Sequence, residues 1–263
     1  MKKTARIISF ILIFALALGV MVSCGEPKPE ELVKNAAEET AKTPYSVTMD
    51  IGFSTTNTKY REAFSSMSIE DAKISVNGED FKCEMTMGIA GVQADMDYTA
   101  VAGTLYMKVA AEAAGQSSTV KQKATMDSIQ RAELFEELSA APELTPEQFE
   151  KFEVTKDGDE YLISCEGVTD MMSDEINDMI ESMEESLGGG KVSVSNIKYE
   201  IKIDDGKYDY IKLVCVYNIT VLNEQIKVTM TSTMEYDYDE SVSIKAPTDA
   251  GTYEEVDYGD IIK

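Results

Sequence analysis

The chain has 263 residues, of which 48 are acidic, 24 basic and none histidine, for a net charge of −24. So large an acidic excess repels phosphate backbones and excludes nucleic-acid partners. The lack of histidine removes histidine-based triads, most zinc sites and the usual general base near neutral pH.

The first element is a leader. Lys2, Lys3 and Arg6 precede an apolar run from Ile7 to Val22 that is broken only by Ser9 and Gly19. This is the layout of an export signal, and the run falls short of the roughly 20 residues that span a bilayer. Met21, Val22, Ser23 and Cys24, followed by Gly25, resemble the lipobox of bacterial lipoproteins. That resemblance implies removal of residues 1–23 and a thioether-linked diacylglycerol on Cys24, with palmitate as a typical acyl chain. Two or more acyl chains anchor a protein stably, so the mature chain is expected on the extracytoplasmic side of the cell membrane, tethered and not spanning it. Processing takes away three basic residues and no acidic ones, which leaves a net charge of −27. Residues 24–31, with two prolines and alternating charges, read as a stiff solvated tether.

Residues 32–247 read as one domain and 248–263 as an acidic C-terminal tail. The domain opens with a helix that places Leu32, Val33, Ala36, Ala37 and Ala41 at helical spacing and stops at Pro44. Tyr45, Val47, Met49, Ile51 and Phe53 then alternate with polar residues, the mark of a strand with one dry face. The same period of two recurs at Phe81–Ile89, Val92–Tyr98, Leu105–Val109, Tyr161–Cys165, Ile197–Ile203, Ile211–Val221 and Ile226–Tyr236. Turn residues at 77–80, 157–160, 204–207 and 222–225 join such runs as hairpins, for about eleven mostly antiparallel strands. Val192 and Val194 are out of phase with Ile197, which predicts a bulge near Asn196.

Helical patterns interrupt the strands. One runs from Met126 to Leu138 with Ile129, Leu134 and Phe135 on a stripe, and "LTPEQF" starts another with Thr145 as cap and Gln148 closing a capping box. A third, from Asp170 to Leu187, stacks Met172, Ile176, Met179, Ile180, Met183 and Leu187 on one face and seven acids on the other. The acids read as a solvated face. "LGGGK" follows this helix, whereas a phosphate loop must precede one. No acidic cluster has the spacing of a calcium loop, so neither an enzyme, a cofactor nor a metal is expected.

Cys83, Cys165 and Cys215 fall on the apolar side of strands and read as buried thiols, with one disulfide plus a lone thiol as the alternative. The mature chain holds 13 methionines and no tryptophan. Methionine specifies a rigid core poorly, but it suits a surface that repacks around variable apolar ligands. The candidate lining is therefore Met49, Ile51, Met85, Met87, Met96, Met107, Met172, Ile176, Met179, Met183, Leu213, Cys215, Met230 and Met234.

The lipobox, spacer, short helix ending near "TPYSVTMDI", Met-rich alternating strands, central helical insertion and closing pair of long hairpin strands resemble the LolA/LolB and LppX/LprG-like lipid-carrier lipoproteins. The resemblance covers roughly residues 30–247 and rests on layout. It implies an α+β, mainly β fold: a curved antiparallel half-barrel sheet with helices on its concave face, enclosing a cavity for lipid or lipid-linked cargo. The expected partners are a lipid or other apolar small molecule and the membrane. The alternative is a non-catalytic structural or protein-interaction module of the cell envelope with a filled core.

Overall fold

The computed structural model describes residues 27–66, 68–89, 92–113, 115–131, 134, 146–167, 180–181, 184, 190–221 and 224–261. In chain order they form α1 (Pro29–Thr40), β1 (Tyr45–Thr55), α2 (Arg61–Ser65), β2 (Ser68–Asn77), β3 (Asp80–Ile89), β4 (Val92–Val101), β5 (Thr104–Ala113) and β6 (Gln116–Thr125). Then follow α3 (Pro146–Phe149), β7 (Glu153–Asp157), β8 (Glu160–Glu166), β9 (Lys191–Asp204), β10 (Lys207–Val221), β11 (Glu224–Tyr238), a 3-10 turn (Ala250–Thr252), β12 (Glu254–Glu255) and α4 (Tyr258–Ile261).

All twelve strands join one curved sheet in the order β12-β6-β5-β4-β3-β2-β1-β11-β10-β9-β8-β7. The fold is thus α+β and mainly β. Eleven strands pair antiparallel, and β12 adds two residues parallel to β6. Two meanders, β1–β6 and β7–β11, meet where β1 pairs with β11 from Tyr45↔Tyr238 to Thr55↔Val228.

Two-residue turns set the meander register. Ala102–Gly103 and Asp205–Gly206 carry φ of 50°, 78°, 48° and 75°, the paired left-handed residues of a type I′ hairpin. Asp at such a position is tolerated through local hydrogen bonding, whereas Ala102 carries a Cβ penalty without that relief. The expected bulge is present: β10 and β9 slip register between Val216 and Tyr217, leaving Ser195 as the extra residue beside Asn196. A second irregularity on β2, between Glu70 and Lys73, moves the inward parity from Ile69 to Ala72, Ile74 and Val76.

Side chains of one sheet face build the core. Beneath α1, Val33 and Ala36 join Ile163, Ile197, Ile201, Ile203, Ile211, Cys215, Tyr217 and Val228 in the larger of two buried clusters. A closed ring of hydrogen bonds fixes the end of α1. The Tyr208 N–H donates to Thr40 Oγ1 (3.3 Å), and the Tyr238 hydroxyl donates to the Tyr208 carbonyl (2.7 Å). Because the Tyr238 proton is used there, the Thr40 hydroxyl donates to Tyr238 (2.9 Å). The Tyr208 hydroxyl also donates to the Val33 carbonyl at 2.8 Å. Buried rings of this kind reinforce one another, and removing one member orphans the rest.

Among the described residues of the helical insertions, 128–131, 134, 180–181 and 184 are helical. Asp127 Oδ1 accepts the N–H groups of Ile129 and Gln130, each at 2.8 Å, while Gln130 Oε1 accepts the Asp127 N–H at 3.0 Å. This reciprocal cap starts the helix and turns Ile129 outward, 67% exposed, instead of onto the apolar stripe expected for it. Leu134 is buried as expected. Thr145 lies outside the described residues, so the capping box expected for "LTPEQF" does too.

The acidic C-terminal segment packs back onto the sheet. Asn77 Nδ2 donates to the Val242 carbonyl at 2.8 Å, and Lys121 pairs with Asp249 at 2.6 Å. Tyr253 stacks edge-on against Tyr106, centroids 5.5 Å apart, on the polar face of β5. The chain then rounds the β6 edge, where the Val256 N–H donates to the Lys123 carbonyl at 3.0 Å. Tyr258 and Ile261 finish against the smaller core cluster on the opposite face.

Candidate functional site

Strand pairing lines up the apolar residues of β3–β6 in rows that cross the sheet. The first row, Phe81, Ala100, Leu105 and Ala124, is 2%, 1%, 1% and 1% exposed. Met126 and Leu134 belong to the same cluster and cover it. The second row holds Cys83, Tyr98, Met107 and Gln122, of which Cys83 and Met107 are still buried. In the third row, Met85, Met96 and Val109 are half-buried and Val120 is 48% exposed. In the fourth, Met87, Ala94 and Ala111 are half-buried and Ser118 is exposed. Cover therefore thins steadily along the strands, and it leaves an open apolar strip two rows deep.

The same face across β8–β11 is buried over most of its length, with Val194, Leu213 and Met234 half-buried. Ile163, Ile197 and Ile201 are 0% exposed, and the far row of Val192, Ile219 and Ile226 is still buried. Tyr60 and Phe64, flanking and within α2, pack over that end. Glu224 holds them there: it accepts from Lys59 Nζ at 2.7 Å, the Tyr60 hydroxyl at 2.8 Å and Asn57 Nδ2 at 3.4 Å.

The fourteen sequence-selected residues divide accordingly. Met85, Met87 and Met96 line the open strip. Met49, Ile51 and Met234 are half-buried at the seam of the two meanders, in register with one another as Met49↔Met234 and Ile51↔Ser232. Met107, Cys215 and Met230 are enclosed, and Leu213 packs half-buried against the larger cluster. Met172, Ile176, Met179 and Met183 lie outside the described residues, as does Cys24. Val109 and Val120 belong to the strip without having been selected. Val109 stood in the alternation of its strand, whereas Val120 is one apolar residue in a polar segment and gave no periodic signal.

Cys83, Cys165 and Cys215 are buried and form no disulfide, which agrees with the first of the two readings of their sequence pattern. Burial pushes the Cys83 thiol up to about 12, helped by Asp97 and Glu84, and Cys215 up to about 11. Neither is a nucleophile near neutral pH. Tyr217 buries its hydroxyl beside the Cys215 thiol. No group of metal-binding side chains occurs among the described residues, and no described helix is long and apolar enough to cross a membrane.

Residues 28–251 match the profile of a family of unknown function, DUF6612. No curated protein matches the chain. Among solved structures, an inactive mutant of the CurJ dehydratase in complex with a compound aligns at 11% identity over 80% of this chain and 81% of its own, with a TM-score of 0.13. A protein described as an oleoyl thioesterase from Lactobacillus plantarum aligns at 11% identity over 77% and 81%, with a TM-score of 0.10. Scores this low bear on neither fold nor function.

Proposed function

The chain belongs to the DUF6612 family, and we propose for it the role of a non-catalytic, lipid-anchored extracytoplasmic protein that binds an apolar ligand, a lipid through its acyl chains. The reading is of the same kind as the LolA/LolB and LppX/LprG-like carriers that the layout resembles. The observation that carries it is the open strip of Met85, Met87, Met96, Val109 and Val120, set on a sheet face whose rows across β8–β10 are mostly buried. Leaving apolar side chains half-wet forgoes about 25 cal/mol per Å² of stabilisation, which a ligand recovers when it covers them. Flexible methionines accommodate chains of differing length and unsaturation. The lipobox at Cys24 supplies the tether that a chain of net charge −27 needs to stay beside anionic headgroups.

Native mass spectrometry of residues 26–263, purified from the protein's own host, tests this reading. It predicts copurifying lipid and binding of apolar fluorescent probes. Met96→Lys is expected to weaken probe binding at least tenfold while leaving the melting temperature within a few degrees, because the added charge lies on a half-exposed surface. If wild-type protein carries no lipid and binds no probe, the reading fails and the filled interaction module takes its place.

A further inference from the structure

The two edges of the sheet are built differently. β7 is five residues long and carries Glu153, Lys156 and Asp157, a short charged edge of the kind that resists pairing with another chain. β6 is ten residues long, and β12 pairs with it only at Gln122 and Lys123. Gln116, Ser117, Ser118, Thr119 and Val120 are all exposed, contain no charge or proline, and keep one row of backbone groups without a described partner. In a chain with 48 acidic residues, the whole stretch 113–126 lacks a carboxylate.

We propose that this half of β6 is a self-association edge, where a second copy adds its own β6 antiparallel about a two-fold axis through Ser118. Two strongly acidic copies repel at most approaches, but here they meet on uncharged side chains alone. The uncovered length fixes the register. Ser118 faces its own copy, Ser117 faces Thr119 and Gln116 faces Val120, so opposed residues share a face and none is charged. The contact stops short of Gln122, where Glu254 occupies the next strand position. A nearby carboxylate, Glu112, sits one strand inside, opposite Ser117. The open methionine strips of the two copies thereby lie on one face of a joined sheet, separated at the seam by Gln116 and Ser118.

A few backbone pairs make a weak contact in solution, strengthened when both copies are confined to one membrane. The test uses the mature domain with Ser118→Lys and Ser118→Asp, exposed positions that leave the core untouched. Each variant alone is expected to sediment as monomer at concentrations where wild type associates. An equimolar mixture of the two restores association at least tenfold relative to either alone. Ser118→Cys is expected to crosslink into a dimer under mild oxidation, while Thr155→Cys on β7 does not. Wild type that remains monomeric at millimolar concentration, variants that associate like wild type, or a mixture no different from its parts would each overturn the proposal. So would crosslinking that occurs only between Ser118→Cys and Thr155→Cys, since that describes a head-to-tail filament.

Discussion

The two meanders share one sheet, one face and one alternating pattern, yet β7–β11 is buried over most of its length and β2–β6 at one end only. In the first, α1, α3 and the α2 region lay Val33, Ala36, Phe149, Phe152, Tyr60 and Phe64 over the strands. In the second, cover among the described residues comes from Met126, Leu134, Tyr258 and Ile261, and the row of Met85, Met96 and Val109 is only half-buried. The side chains follow this division. Isoleucines with fixed rotamers fill the closed half, while Met85, Met87 and Met96 lie where cover thins. One amphipathic sheet is thus mostly closed over one meander and partly open over the other.

Mutations can break that comparison directly. Ile201→Ala removes a 0% exposed side chain beneath α1 and is expected to cost on the order of 3–4 kcal/mol in urea unfolding. Met96→Ala, on the open strip, is expected to cost less than about 1 kcal/mol, since the space it leaves fills with water. Equal losses would show that the strip is as tightly packed as the core.

Alkaline pH probes the seam. Tyr45 packs against Tyr236 and Tyr238, with centroids 6.0 and 6.3 Å apart, and Tyr236 in turn against Tyr208. Burial pushes both Tyr45 and Tyr238 up to about 12, from 10.0 when exposed. The folded state keeps these phenols neutral while the unfolded chain ionises, so stability is intact below pH 10 and falls between pH 10 and 12. Tyr45 alone accounts for about 2–3 kcal/mol of that loss. Tyr45→Phe should flatten the decline, as measured by chemical unfolding at stepped pH, and an unchanged slope would contradict the assignment.

Thr40→Val opens the hydrogen-bond ring at the end of α1 and is expected to cost about 1–2 kcal/mol, with faster amide exchange in α1 than in β3–β6. Ala102→Gly, in the β4–β5 turn of the open meander, relieves a residue held at φ 50° and should stabilise by about 0.5–1 kcal/mol.

Much of the sheet was legible because period-two alternation survives wherever one face is dry. Eight strands stood out this way, and the total of about eleven matches the antiparallel set. The positions of β2, β6 and β7 were hidden for separate physical reasons. In β2 the irregularity between Glu70 and Lys73 flips the parity of the apolar residues partway along the strand. β6 is exposed over its first half and takes its conformation from pairing with β5, not from its own side chains. β7 is too short to show a period. The docking of the C-terminal segment rests on Asp249, Tyr253, Tyr258 and Ile261, too widely spaced to read as an element. As for the site, alternation told which face Met85, Met87, Met96, Met107 and Met230 share. It could not tell which of them a distant helix or turn would cover, because that depends on tertiary placement.

A photoreactive fatty acid, crosslinked to the mature domain and mapped by peptide mass spectrometry, tests the central claim most directly. The account predicts adducts within residues 85–120, on β3–β6, and none on the enclosed positions of β8–β10. Adducts confined to β8–β10, or no saturable labelling at any site, would contradict it.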